Sequence, residues 1–73
     1  MTKMDDTYAR KIVVRGLTAT DLGKLIEFNP GAGTAMLIKF EHTSENTWIT
    51  YLTDDDKYVN AFDHMKIVTV YDR

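Results

Sequence analysis

The stretch Thr34–Leu52, Thr-Ala-Met-Leu-Ile-Lys-Phe-Glu-His-Thr-Ser-Glu-Asn-Thr-Trp-Ile-Thr-Tyr-Leu, limits what this chain can become. Two runs rich in β-branched and aromatic residues flank the polar cluster Thr43-Ser44-Glu45-Asn46, which has turn chemistry. The stretch therefore reads as one long β-hairpin. A loop over Thr43–Asn46 sets Phe40 opposite Ile49 and Ile38 opposite Tyr51. Met36, Ile38, Phe40, Ile49 and Tyr51 then share one face, and Leu37, Lys39, Glu41, Trp48, Thr50 and Leu52 share the other. A slip of one residue would mix the two sets, so the pattern favours this register.

The rest of the chain adds short elements to the hairpin. Arg10–Arg15 reads as a strand that Gly16 ends. Thr18 and Asp21 form a capping-box pair before a single helical turn or structured loop, with Gly23 as its C-cap. Lys24–Phe28 is a second strand, with Ile26 and Phe28 on one face. Asn29-Pro30-Gly31-Ala32-Gly33 is the strongest turn, since proline presets one dihedral and glycine permits positive φ. After Thr53-Asp54-Asp55-Asp56, the segment Tyr58–Met65 supports two readings. Tyr58, Phe62 and Met65 stand at helical spacing, while Lys57-Tyr58-Val59 suits a short strand followed by a 3₁₀ turn. Lys66–Tyr71 is the last strand. Residues 1–9 read as a flexible tail and residues 10–73 as one small β domain. Phe40, Ile38, Ile49, Val68 and Phe62 are the expected core.

The order of elements resembles the SH3-like small barrel. The resemblance rests on Asp21-Leu22-Gly23-Lys24-Leu25-Ile26 entering the second strand, on the long central hairpin, and on Asn60–His64 before the final strand. It implies a mainly β, five-stranded barrel with one short helical turn before the last strand. The acidic loop and paired aromatics with which SH3 domains grip proline-rich peptides are absent, so the layout does not imply that activity. The chain also resembles small bacteriophage products, which implies a viral protein in a host cytoplasm.

Composition narrows the function. With 73 residues and no cysteine, the chain has neither disulfides nor thiolate metal sites to support a small core. No apolar run is long enough to span a membrane, and the start Met1-Thr2-Lys3-Met4-Asp5-Asp6 is not a signal peptide, so a cytoplasmic location is expected. The net charge is −2, unevenly spread: residues 1–40 carry +2 and residues 41–73 carry −4. Such a chain lacks the basic surplus of a phosphate-gripping protein.

The candidate chemical motifs give way to simpler readings. Gly31-Ala32-Gly33 precedes a strand, whereas a phosphate loop needs a helix there. Asp54-Asp55-Asp56 lacks the spacing of a calcium loop and reads as a solvated turn. His42 and His64 fall short of a zinc ligand set, even with Glu41 or Asp63. Ser44, the only serine, sits in a turn beside Glu45, with no convincing base. No enzyme, cofactor, metal or small-molecule substrate is expected.

One feature stands out against that background. The outer hairpin face carries the only Trp and two leucines, where a wet sheet face would be polar. Either the segment with Tyr8 covers it, or it is a contact surface. The expectation is a non-catalytic interaction domain that binds itself or another protein through Leu37, Lys39, Glu41, Trp48, Thr50 and Leu52. The alternative is a nucleic-acid-binding small barrel, with Arg10, Lys11, Arg15, Lys24 and Lys39 as a basic strip and Trp48 or Tyr51 stacking on bases, or an acidic mimic of nucleic acid.

Overall fold

The computed structural model describes residues 9–72, in which six strands form one antiparallel sheet. They are β1 (Ala9–Val13), β2 (Leu25–Glu27), β3 (Ala35–His42), β4 (Thr47–Leu52), β5 (Lys57–Phe62) and β6 (Ile67–Tyr71). The spatial order is β1-β6-β2-β3-β4-β5. The chain is thus mainly β, as expected, but the sheet is open and six-stranded, not a closed five-stranded barrel. The expected tail lies outside the described residues, apart from Ala9, which opens β1.

The central hairpin occupies Ala35–His42 and Thr47–Leu52 as the sequence predicts. Between the strands, the Thr43 hydroxyl accepts the Glu45 and Asn46 amides at 3.2 and 3.1 Å and donates to the Asn46 carbonyl at 2.9 Å. The same scheme recurs ten positions later: the Thr53 hydroxyl accepts the Asp55 and Asp56 amides, each at 3.3 Å, and donates to the Asp56 carbonyl at 3.2 Å. Two Thr-x-x-Asx turns therefore build two consecutive hairpins. This corrects the expected helical turn over Asn60–His64, because the second hairpin draws Lys57–Phe62 into a full strand beside β4. The 3₁₀ turns lie at Val14–Gly16, which shortens the first strand, and at Ala19–Asp21.

The hairpin register holds near its turn and breaks at Ile38. Glu41 faces Trp48, Phe40 faces Ile49 and Lys39 faces Thr50, but beyond a bulge Leu37 faces Tyr51 and Met36 faces Leu52. The bulge has a visible cause. The Leu37 amide donates to the Lys24 carbonyl at 2.9 Å, and its carbonyl accepts the Gly23 amide at 2.7 Å. Both backbone groups of Leu37 are thereby committed to the β2 side, and the extra residue reverses which side chains point inward. Leu37, expected on the outer face, is 0% exposed, while Ile38, expected in the core, is 41% exposed.

Val14, Leu17, Ile26, Leu37, Ile49, Val68 and Val70 form the core, flanked by partly buried Ile12, Phe28, Phe40, Tyr51 and Phe62. Ile49 and Val68 were expected there; Phe40 and Phe62 reach only its margin. Asn29–Ala32 closes a turn, with the Ala32 amide on the Asn29 carbonyl at 3.0 Å and Gly31 at φ 81°. Proline before a positive-φ glycine is what this turn requires.

A polar clamp ties β1 to the end of β6. Arg10 donates from Nη2 to Asp21 Oδ1 at 2.7 Å and to Asp72 Oδ1 at 2.9 Å, and from Nε to Asp72 Oδ2. Lys24 Nζ adds a bond to Asp72 Oδ1 at 2.7 Å. Asp21 is buried, and its other oxygen accepts the Thr18 amide at 2.9 Å, within the expected capping box of Thr18 and Asp21. The donated bonds from Arg10 and Lys24 hold the Asp72 carboxyl down to about 2 and push the Arg10 guanidinium up.

Candidate interaction surface

The outer face of β3, β4 and β5 is built by alternation. Cross-strand partners share a face, so the register places Glu41, Trp48 and Ala61 in one row and Lys39, Thr50 and Val59 in the next. Met36, Leu52 and Lys57 form the third row, with bulged Ile38 beside it. Trp48 is 46% exposed and Val59 56%, and Met36, Ile38 and Leu52 are exposed as well. A shallow depression of about 230 Å³ lies among Lys39, Glu41, Trp48, Thr50 and Val59.

Five of the six sequence-predicted contact residues thus share this face: Lys39, Glu41, Trp48, Thr50 and Leu52. The sixth, Leu37, is removed to the core by the bulge. Met36, Ile38 and Val59 were missed. Val59 could have been found from the second Thr-x-x-Asx turn, which announces a third strand beside Trp48. Met36 and Ile38 depend on the bulge, which no local residue signals. Tyr8, the proposed cover for this face, lies outside the described residues.

An aromatic cluster occupies the inner side. Phe28 packs against Tyr51 with ring centroids at 4.7 Å, and Tyr51 stacks on Tyr58 at 5.6 Å. Asn60 Nδ2 donates to the Tyr51 hydroxyl at 2.7 Å. Beside these residues a cleft of about 400 Å³ runs from the Asn29–Thr34 loop to Asn60, Ala61 and Phe62.

Of the candidate basic strip, Arg10 and Lys24 converge but are spent on Asp21 and Asp72, and Lys39 lies on β3 in the row next to Glu41 and Trp48. His42 has both ring nitrogens engaged, Nδ1 with the Thr47 hydroxyl at 2.7 Å and Nε2 with the Leu17 carbonyl at 3.2 Å. Among the described residues, no three His, Asp or Glu side chains converge as metal ligands, and no helix is long and apolar enough to cross a membrane. No protein-family model, curated protein or solved structure matches this chain.

Proposed function

We propose that the protein is a non-catalytic interaction domain that binds a protein surface through the outer face of β3–β4–β5. The observation that carries this reading is the run of exposed apolar side chains Met36, Ile38, Trp48, Leu52 and Val59 on a single sheet face. Water contact with such a patch is unfavourable, and a large aromatic with a polar surround is the usual interface anchor. Lys39 and Glu41 flank Trp48 and Thr50 and would orient the partner. The net charge of −2 and the internal pairing of Arg10 and Lys24 favour protein over nucleic acid.

The test is covalent capture in cells. A photoreactive residue replacing Thr50, in the middle of the face, should yield protein adducts, and the same group replacing Thr20 should not. Adducts to nucleic acid, or equal yields from both sites, would overturn the reading. For the captured partner, Trp48→Ala should weaken binding by ~2 kcal/mol or more, roughly thirtyfold in Kd.

A further inference from the structure

We infer that two copies of this chain associate by antiparallel pairing of their β5 edges around a two-fold axis at Asn60. This contact uses the edge of the sheet and meets the outer face only along its β5 margin at Lys57, Val59 and Ala61, so it does not rest on the function proposed above.

The edge is open. Among the described residues β5 pairs with β4 alone, and Lys57–Ala61 are exposed along their length. An unprotected edge strand presents unpaired amides and carbonyls, which proteins usually blunt with lysines, prolines or bulges. From Tyr58 to Phe62 β5 has none of these, and its register with β4 is continuous. The opposite edge, β1, carries Arg10 and Lys11.

Hydrogen-bond alternation identifies the free groups. The Thr53 amide donates to the Asp56 carbonyl at 2.9 Å, so this pair is a hydrogen-bonded one. Alternation then directs Tyr58, Asn60 and Phe62 to β4 and leaves the backbone of Lys57, Val59 and Ala61 facing outward. The Lys57 amide is already held by Asp56 Oδ1 at 2.7 Å. Among the described residues, Val59 and Ala61 remain as the free donors and acceptors.

Their spacing sets the register. Val59 of one copy exchanges bonds with Ala61 of the other when Asn60 faces Asn60 across the axis. That register places Tyr58 opposite Phe62 and Lys57 opposite Asp63, each pair occurring twice by symmetry. Every facing pair is compatible: opposite charges, two aromatics, two small apolar groups, and two amides that can bond each other. A shift that centres the axis on Val59 instead opposes Asp55 to Asp63 and requires the occupied Lys57 amide. The cleft of about 400 Å³ bordered by Phe28, Asn60, Ala61 and Phe62 lies on the side that the incoming Tyr58 ring would enter. Such an edge contact is small and belongs to the weak, concentration-dependent class.

Sedimentation of the full chain from ~10 μM to ~1 mM should show the mass rising towards a dimer. Over the same range, amide exchange at Val59 and Ala61 should slow, while Tyr58, Asn60 and Phe62, already bonded to β4, should not change. Asn60→Asp keeps the shape and the Tyr51 contact but sets two carboxylates face to face. It should weaken association at least about tenfold at neutral pH, and partial recovery near pH ~4 should follow as the facing carboxylates share a proton. Lys57→Asp should weaken it, and Lys57→Asp with Asp63→Lys should restore it. A monomer at every concentration, or an Asn60→Asp variant that associates like the parent, would overturn the inference. Self-association through the outer face would instead be abolished by Trp48→Ala and leave the Val59 and Ala61 amides unprotected, which separates the two surfaces.

Discussion

The rings of Phe28 and Phe62 lie parallel, 4° apart, with centroids separated by 4.7 Å. Phe28 directly follows β2, and β2 is three strands away from β5 in the sheet order. In a flat sheet that separation is about 14 Å, at ~4.8 Å per strand. Ring contact across it shows that the sheet curls strongly, and that side chains bridge an interval no backbone pairing spans.

Phe28→Ala and Phe62→Ala should therefore each destabilise the domain by about 2 kcal/mol, less than a fully buried Phe because both rings are only partly covered. The double variant should cost less than the two combined, by about 0.5–1.5 kcal/mol of coupling. Urea denaturation of the four proteins measures this. Strict additivity would mean that the rings contribute separately and do not hold the curl.

The bulge makes a sharper prediction, because it reverses two adjacent residues. Leu37→Ala should cost about 3–4 kcal/mol, whereas Ile38→Ala should cost under about 1 kcal/mol. A regular hairpin would give the opposite order. Equilibrium unfolding of the two variants decides which register the protein uses in solution.

That pair of residues also shows where the sequence stops being informative. Alternation in Phe40–His42 and Thr47–Ile49 is local, and it located the hairpin, its turn and the outer positions of Lys39, Glu41, Trp48 and Thr50. The bulge is set by Gly23 and Lys24 clasping the Leu37 backbone. Residues so distant leave no trace in the periodicity around Ile38. Strand β5 is half legible: Lys57-Tyr58-Val59 suits a short strand, as found, but Tyr58, Phe62 and Met65 also fit a helical spacing, and the repeated Thr-x-x-Asx frame is what favours a hairpin extending to Phe62. The open sheet was illegible because closure depends on whether β1 and β5 meet, which no single segment encodes.

Acid should loosen the clamp at Asp72. Its carboxyl is held down to about 2 by bonds from Arg10 and Lys24, against an unfolded value of about 4. A depressed carboxyl contributes stability that is fully present above the unfolded value and is lost as pH falls towards the folded one. The Asp72 contribution should thus disappear between about pH 4 and pH 2. Asp72→Asn should lower stability at neutral pH and flatten that part of the profile. Thermal melts of both proteins from pH 7 to pH 2 should converge at the acid end; curves that stay parallel would show that the clamp is not coupled to folding.

The second hairpin turn separates the role of a hydroxyl from that of three carboxylates. Thr53 Oγ1 makes the bonds that close the loop, while the single bond that the aspartate side chains make, accepted by Asp56 Oδ1 from the Lys57 amide, can be accepted equally by an asparagine. Thr53→Ala should therefore cost about 1 kcal/mol, the typical loss for a hydrogen-bonded hydroxyl. Replacing Asp54, Asp55 and Asp56 together by Asn should leave the fold intact and raise the denaturant midpoint slightly, since it removes repulsion between adjacent like charges. Calcium or magnesium should not change the midpoint of either protein. A cation-dependent rise in the parent that chelator reverses, and that the triple variant lacks, would instead identify the acidic turn as a metal site.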